Sequence, residues 1–462
     1  MKSSILTKSR VFVFGIDGLP PQLVFKQYKK ELPTLAGLIK YGVSGELHST
    51  VPPLSSVAWT SLNSGRDPGE TGIHGYTLRP QPGKPPVIVD STNVRVPMLW
   101  DILTAHGKRS VVLNVPLTYP ARKINGVMIT DFLTPAFNTK SIYPATHLQE
   151  IKEIAGGDYL FDIPFPETGA KENDLKTIIA ETYRLTHQHI AVAKHLMKSK
   201  DWDLFNMVII GTDRLHHILW KYIDLNHAHY KKSPYGTEVL KFYKFLDTEL
   251  AKLIKLAGKN TITLIVSDHG MDRMDGQINL NDWLIREGYL TLKPGVLATA
   301  KEPQRLRDAM IDWKKTMAMA SGGYQGRIFL YGKKNNARLA EEIGKKLIVL
   351  HGANNKKLET KVFNTRQIYR RYDPEAPDLI VYFDNLRYGV STTVGNADIA
   401  TTGAGHGIDD AGHATAGSMI IAPCKKRQKK QSGPFSIYQV APTILKILGI
   451  QEYTSLPEKP II

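Results

Sequence analysis

The chain has 462 residues, 42% hydrophobic and 22% charged. This composition excludes a disordered, collagenous or coiled-coil body, and the length can bury a large core without covalent staples. Lys plus Arg number 60 against 43 Asp plus Glu, a net +17 that favours phosphates and other anionic partners.

In chain order, the N-terminal stretch MKSSILTKSRVFVFGIDG carries too short an apolar run for a signal peptide. No apolar run approaches the roughly 18–20 residues of a membrane span, so a cytoplasmic protein with no transmembrane segment is expected. Short β-branched segments without clean alternation read as buried strands: Val11–Ile16, Ser110–Val115, Phe205–Gly211, Thr261–Val266, Leu379–Phe383 and Ser418–Ala422. Helical patterns lie between them at Leu35–Tyr41, Met98–His106, Leu175–Met197, Thr237–Leu256 and Ala337–Leu350. A last helix is expected over Ser436–Gly449, with Pro442 in its early turns and Gly449 at its end. This alternation implies an α/β fold: a doubly wound, mostly parallel sheet with helices on both faces. The catalytic core is expected over 1–290 and 376–462. The Lys-, Arg-, Asn- and Gly-rich segment 291–375 reads as an inserted cap, and 136–200 as a candidate second helical insert within the core.

Four segments set acid or imidazole beside a strand: VFVFGIDG with Asp17, FNMVIIGTDRLHH with Asp213, His216 and His217, TLIVSDHGM with Asp268 and His269, and GIDDAGHATAGSMIIA with His413. Ligands of open α/β sheets bind beyond the carboxyl ends of the strands, so the first three share one rim. His413 precedes its strand and reaches that rim if the strand runs antiparallel at the sheet edge. The single cysteine, Cys424, excludes a Cys-rich zinc site, so any metal must be held by His and carboxylates. Asp17, Asp213, His217, Asp268, His269 and His413 together suit a pair of divalent ions about 3.5–4 Å apart. Asp213 and His217 share a helix face by their i,i+4 spacing. An isolated Asp-Gly or Asp-His after a strand is ordinarily turn chemistry; four in one chain are not. His216 and His406 compete as ligands, with hydrogen bonding to a neighbour or a phosphate as the other reading.

In STVPPLSSVAWTSLNSGRDPGETGIHGY, Ser55 and Ser56 precede the amphipathic run Val57–Leu62. Either could simply cap the helix. Either could also be a metal-activated nucleophile at a helix N-terminus that favours anions.

The ordered set IDG, LPTLAGLIKYG, PPLSSVAWTSLNSGRDPGETGI, VPLTYPARKINGVMITDFLTP, GTDRLHH, VSDHGM, APDLIV, GHATAG and VAPTILKILGI resembles the type I phosphodiesterase/nucleotide pyrophosphatase branch of the alkaline phosphatase superfamily. The resemblance covers most of the chain and is weak over the cap. It implies two divalent ions, commonly zinc, with manganese accepted by the same ligand types. It implies Asp17, Asp268 and His269 on one ion and Asp213, His217 and His413 on the other. It places the nucleophile on Ser55 rather than Ser56, and implies hydrolysis through a covalent phospho-serine.

Nucleotide pyrophosphatases of this branch usually carry an Asn where this sequence has Tyr76, which unsettles nucleotide specificity; Tyr76 and the nearby His74 are the candidate phosphate contacts. SSVAWTS lacks the Arg of the sulfatase pattern. The expected substrate is a small anionic phosphoester, with a phosphomonoesterase or phosphotransferase as the alternative within the same chemistry. A basic protein binding nucleic acid or an anionic surface is the alternative from another class. The +17 charge and the run Lys425–Lys430 speak for it, but that run lacks the interleaved aromatics that stack bases.

Overall fold

The computed structural model describes residues 9–163, 174–296, 302–331, 336–403, 409–422 and 433–462. His406, Cys424 and the basic run 425–430 lie outside the described residues.

Nine strands form the central sheet: β1 (Arg10–Ile16), β2 (Val43–His48), β3 (Ser110–Leu113), β4 (Gly126–Ile129), β5 (Ile142–Tyr143), β6 (Leu204–Ile209), β7 (Thr261–Val266), β8 (Ala416–Ala422) and β9 (Phe435–Ser436). Their order is β9-β2-β8-β7-β1-β6-β3-β4-β5. The run from β7 through β1, β6 and β3 to β4 is parallel. Both faces of β1 are buried, and its side chains alternate between two cores. Phe12, Phe14 and Ile16 join one; Val11 and Val13 join the other. That is why these strands read as unbroken apolar runs.

The first core is covered by α1 (Pro33–Tyr41), α3 (Leu175–Ser199), α4 (Gly211–Ile223) and α5 (Glu238–Ala257). The second is covered by α2 (Ser55–Ser64) and α6 (Val440–Ile447). Each fully buried Val, Leu, Ile or Phe in these layers contributes about 1.5–3 kcal/mol. A short 3-10 turn, Ile437–Gln439, leads into α6; Pro442 sits in the early turns of α6, and Gly449 follows it at φ +75°. Among the described residues no helix is long and apolar enough to cross a membrane.

Several expectations are corrected. β8 is antiparallel, but it lies inside the sheet between β7 and β2 rather than at its edge. Its uniformly apolar sequence suits an interior strand, and the antiparallel direction still brings His413 to the shared rim. β6 ends at Ile209 because Gly211 already begins α4. Leu379–Tyr382 is a strand, but it pairs in a separate four-stranded sheet with Ala318–Ser321, Gly326–Leu330 and Lys361–Asn364. A fully buried apolar run does not reveal which sheet it joins. The second sheet therefore reaches past 291–375, and its core also takes in Ile278, Leu280 and Val390. Within 136–200, Ile142–Tyr143 pairs with β4, and α3 packs on the first core.

β1 and α2 approach unusually closely at Gly15. A Cβ there would fall 2.5 Å from the Trp59 ring and 2.9 Å from Val208 Cγ2. Gly15→Ala should lower the unfolding free energy by about 1–3 kcal/mol through overpacking. A lowered urea midpoint at unchanged slope checks this.

Candidate active site

Four polar ties hold the rim. The Asp17 N–H donates to Ile209 O at 3.0 Å, extending the β1–β6 ladder. Thr212 Oγ1 donates to Asp17 O at 2.6 Å, fixing the start of α4 against the end of β1. The Leu19 N–H donates to Ser267 Oγ at 2.8 Å, and Ser418 Oγ donates to Leu19 O at 3.1 Å. The ends of β1, β6 and β7 and the start of β8 are thereby locked together.

Asp17, Asp213, Asp268, His217, His269 and His413 converge there, all buried. Each carboxylate has one oxygen anchored. Asp17 Oδ2 accepts from Trp59 Nε1 at 2.8 Å, Asp268 Oδ1 from the Gly18 N–H at 3.3 Å, and Asp213 Oδ2 from Arg214 Nη1 at 3.0 Å. Each imidazole has Nδ1 anchored. His413 Nδ1 donates to Pro53 O at 2.7 Å and His269 Nδ1 to Gly270 O at 2.9 Å. His217 Nδ1 lies 2.9 Å from Asp409 Oδ1 and 3.1 Å from Ala411 O. These bonds select the tautomers and turn the Nε2 atoms toward the remaining carboxylate oxygens.

His269 Nε2 is 3.1 Å from Asp268 Oδ2 and 3.5 Å from Asp17 Oδ1. Asp213 Oδ1 is 3.2 Å from His217 Nε2 and 3.7 Å from His413 Nε2. Asp213 Oδ1 and Asp268 Oδ2 are buried with no donor in hydrogen-bonding geometry. Inward-facing lone pairs of this kind fit divalent cations. Ligand atoms of Asp17, Asp268 and His269 lie within 4.8 Å of one another, as do those of Asp213, His269 and His413. The first group matches the expected set. In the second His269 appears where His217 was expected, with His217 touching Asp213 from the helix side.

The electrostatics follow from this crowding. Burial, then Asp268 and Asp213, push Asp17 well above the usual carboxylate range. Burial is also the main cause that raises Asp268, to about 8. Burial opposes ionisation at Asp213 too, but His217, Arg214 and His413 outweigh it and hold Asp213 well below that range. At His217 burial disfavours the charge, yet Asp409 and Asp213 prevail and raise it to about 10. Burial and the neighbouring His269 push His413 down.

Ser55 is the first residue of α2, and Leu54, not a serine, is the capping residue. The Ser55 hydroxyl therefore does not cap the helix. Its Oγ lies 3.3 Å from His269 Nε2 and 3.4 Å from Asp17 Oδ1. Ser56 Oγ is buried without a hydrogen-bond partner. The Tyr76 phenol lies near Ser55, and burial raises it.

Two other candidates point elsewhere. His74 Nε2 pairs with Asp373 at 2.8 Å, and the ring stacks on Tyr369. His216 packs between Trp220 and Tyr243 on α4, and burial lowers it to about 3, which keeps it neutral.

Among the supporting side chains, sequence reasoning missed Asp162, Asp409, Trp59 and Tyr324. Arg214 is gripped by Asp162 through Nε–Oδ1 at 2.9 Å and Nη2–Oδ2 at 2.6 Å while it holds Asp213. Tyr324 stacks on His217 and His413 and donates to Asp409 Oδ2 at 3.1 Å. Asp409 and Arg214 both lay within quoted motifs. Trp59 had only its apolar helix face as a signal, and Tyr324 had none.

A doubly wound sheet with a buried carboxylate–imidazole array at its carboxyl rim defines the alkaline-phosphatase-like class of phosphoester hydrolases. The family model for type I phosphodiesterase/nucleotide pyrophosphatase matches residues 11–409, and the chain belongs to that family. No curated protein sequence matches it significantly. Among solved structures, phosphonoacetate hydrolase from Sinorhizobium meliloti, in complex with phosphonoformate, is similar at TM-score 0.62 and 15% identity over 96% of each chain. The inactive murine ectonucleotide pyrophosphatase/phosphodiesterase 5 in complex with AMP is similar at TM-score 0.56 and 13% identity, over 96% of each chain. The human form is similar at TM-score 0.54 and 14% identity, over 96% of this chain and 95% of that one. Likeness at these identities establishes the fold.

The raised His217 yields a pH prediction. In metal-free protein its contribution to stability is fully present below 6.5 and lost as pH rises through about 10. Asp409→Asn should lower the His217 titration midpoint by roughly one unit or more. Carbon-detected imidazole shifts in chelated protein check this; an unmoved midpoint would contradict the assigned cause.

Proposed function

We propose that the protein is a two-metal-dependent phosphodiesterase that acts through a covalent phospho-serine on Ser55. The observation that carries this reading is the position of Ser55 Oγ, 3.3–3.4 Å from inward-facing atoms of both His269 and Asp17. Asp17, Asp268 and His269 would hold one ion, and Asp213, His217 and His413 the other, with zinc the expected metal and manganese the alternative. Two divalent cations held there supply Lewis acidity, neutralise anionic charge and lower the proton affinity of a nearby hydroxyl.

The protein's own groups do the rest. Ser55 Oγ attacks phosphorus in line, forms the serine–phosphorus bond and displaces the leaving ester oxygen. Water then attacks the phospho-serine, breaking that bond and releasing the remaining monoester. The α2 N-terminus directs its positive dipole end at the phosphoryl oxygens. Tyr76, kept protonated by burial, donates a hydrogen bond to one of them. Trp59, Arg214 and the Asp409–Tyr324 pair keep the ligand atoms aimed inward, so little reorganisation accompanies the reaction.

A diester is favoured over a monoester because it needs room for a second substituent. Tyr76 lines a cleft of about 700 Å³ that can accept one. The two ligand-bound relatives hold small phosphorus-bearing anions, in keeping with a small phosphoester substrate.

Zinc- or manganese-loaded protein should hydrolyse bis-4-nitrophenyl phosphate faster than 4-nitrophenyl phosphate. Ser55→Ala should lose roughly 10³-fold or more in kcat, with no phosphoenzyme trapped on acid quench. Faster monoester turnover would instead make the protein a phosphomonoesterase. Chelation should remove about two metal equivalents per chain and lower Tm, and Asp213→Ala and Asp268→Ala should each reduce the bound metal measured by mass spectrometry.

A further inference from the structure

The second sheet buries a cation that has no carboxylate partner among the described residues. Arg327, in the strand Gly326–Leu330, is only 7% exposed. Its Nη2 donates to Ser321 Oγ at 2.8 Å and its Nη1 to the His74 carbonyl at 3.4 Å, both neutral acceptors. Its Nε is buried with no hydrogen-bond partner. The ionisable groups acting on it are the phenols of Tyr369 and Tyr76, not carboxylates. Burial holds it below its ordinary value, at about 10. Other partly buried arginines of this chain are treated differently: Arg79 pairs with Asp378 and Arg214 with Asp162. An unpaired buried charge is costly, and an ion with a ligand to meet is one reason to keep it.

The backbone makes room for this guanidinium. A Cβ on Gly75, the residue before Tyr76, would fall 1.8 Å from Arg327 Nη1. Arg327 and Tyr76 line the same cleft of about 700 Å³, whose walls also carry Lys84, Arg305 and Arg307. The carboxylate on that wall, Asp308, is already engaged by the Gly83 N–H and by Trp313 Nε1. The cleft is therefore cationic, begins at Tyr76, and carries on its wall a guanidinium with no carboxylate partner among the described residues.

We propose that Arg327 recognises a second anionic group of the substrate, carried on the substituent that extends from the reacting phosphorus into this cleft. The substrate class is a phosphodiester or phosphoanhydride bearing a carboxylate or phosphoryl group beyond the scissile bond. The planar fork of Arg matches both anions. The inference rests on the phosphodiesterase reading and specifies the substrate of that same site.

The test compares kcat/KM for three probes in zinc-loaded wild type, Arg327→Gln and Arg327→Lys. The probes are bis-4-nitrophenyl phosphate, 4-carboxyphenyl 4-nitrophenyl phosphate and ATP. In Arg327→Gln the preference for a charged probe over the bis-nitrophenyl ester should fall about 10- to 100-fold, mostly through KM. Arg327→Lys should recover part of it. Loss confined to the carboxyphenyl ester identifies a carboxylate as the ligand, and loss confined to ATP identifies a phosphoryl group. An unchanged preference for both would overturn the inference while leaving the phosphodiesterase reading intact. Equal losses on all three probes with a lowered Tm would also overturn it, because Arg327 would then be structural. Binding is read separately by titration calorimetry of phenyl phosphate and 4-carboxyphenyl phosphate into Ser55→Ala and Ser55→Ala/Arg327→Gln proteins. If wild type turns over no ester, the phosphodiesterase reading fails. The calorimetry, with ATP as a third ligand, still decides the inference: Arg327→Gln must weaken binding of the carboxylated ligand or of ATP relative to phenyl phosphate, and unchanged binding of both overturns it.

Discussion

Three buried carboxylates share one pocket at the sheet rim, and the rest of the molecule is arranged around that repulsion. Asp17 is pushed up by burial, Asp268 and Asp213, and Asp268 by burial and Asp213, while Asp213 is held down by cationic neighbours. Left free, such side chains would turn toward water. They do not, because one oxygen of each is tied: to Trp59, to the Gly18 N–H and to Arg214. The imidazoles are tied in the same way through Nδ1. The unused atom of every pair faces inward, and a low-dielectric pocket of inward lone pairs draws cations strongly.

The sheet topology makes this convergence possible. Parallel strands β1, β6 and β7 end together, so residues just after them meet without long loops. An antiparallel strand beside β7 starts where β7 ends, so His413, which precedes β8, arrives from the opposite chain direction. Close packing fixes the level. Gly15 lets Trp59 lie against β1, which sets the indole N–H beside Asp17.

The acids and imidazoles that converge at the rim were legible because their signal is local: acid or imidazole beside an apolar run. The i,i+4 pair Asp213 and His217 was legible for the same reason and sits on α4 as expected. The supporting groups were not, because their roles depend on distant pairings. Asp162 holds Arg214 across 52 residues, and Tyr324 meets His217 across 107. Leu379–Tyr382 was read correctly as a strand and not as part of the second sheet, since burial on both faces erases the alternation that would mark its surroundings. The direction of β8 was anticipated, but its interior position was not, because edge and interior differ only in a partner strand remote in sequence.

The second sheet is tied into the chemistry through one hairpin. The strands Ala318–Ser321 and Gly326–Leu330 pair so that Ser321 faces Arg327, and the turn between them carries Tyr324. Tyr324 lies against His217 and His413, whereas Arg327 turns into the cleft beside Tyr76. One hairpin thus meets the carboxylate–imidazole cluster at its turn and lines the adjoining cleft with its strand. Changes in that strand can alter what the cleft accepts without moving the carboxylates and imidazoles, because those are anchored to the main sheet and its helices. The short motifs thus sit on the core, while the adjoining cleft is walled in part by a hairpin within 291–375.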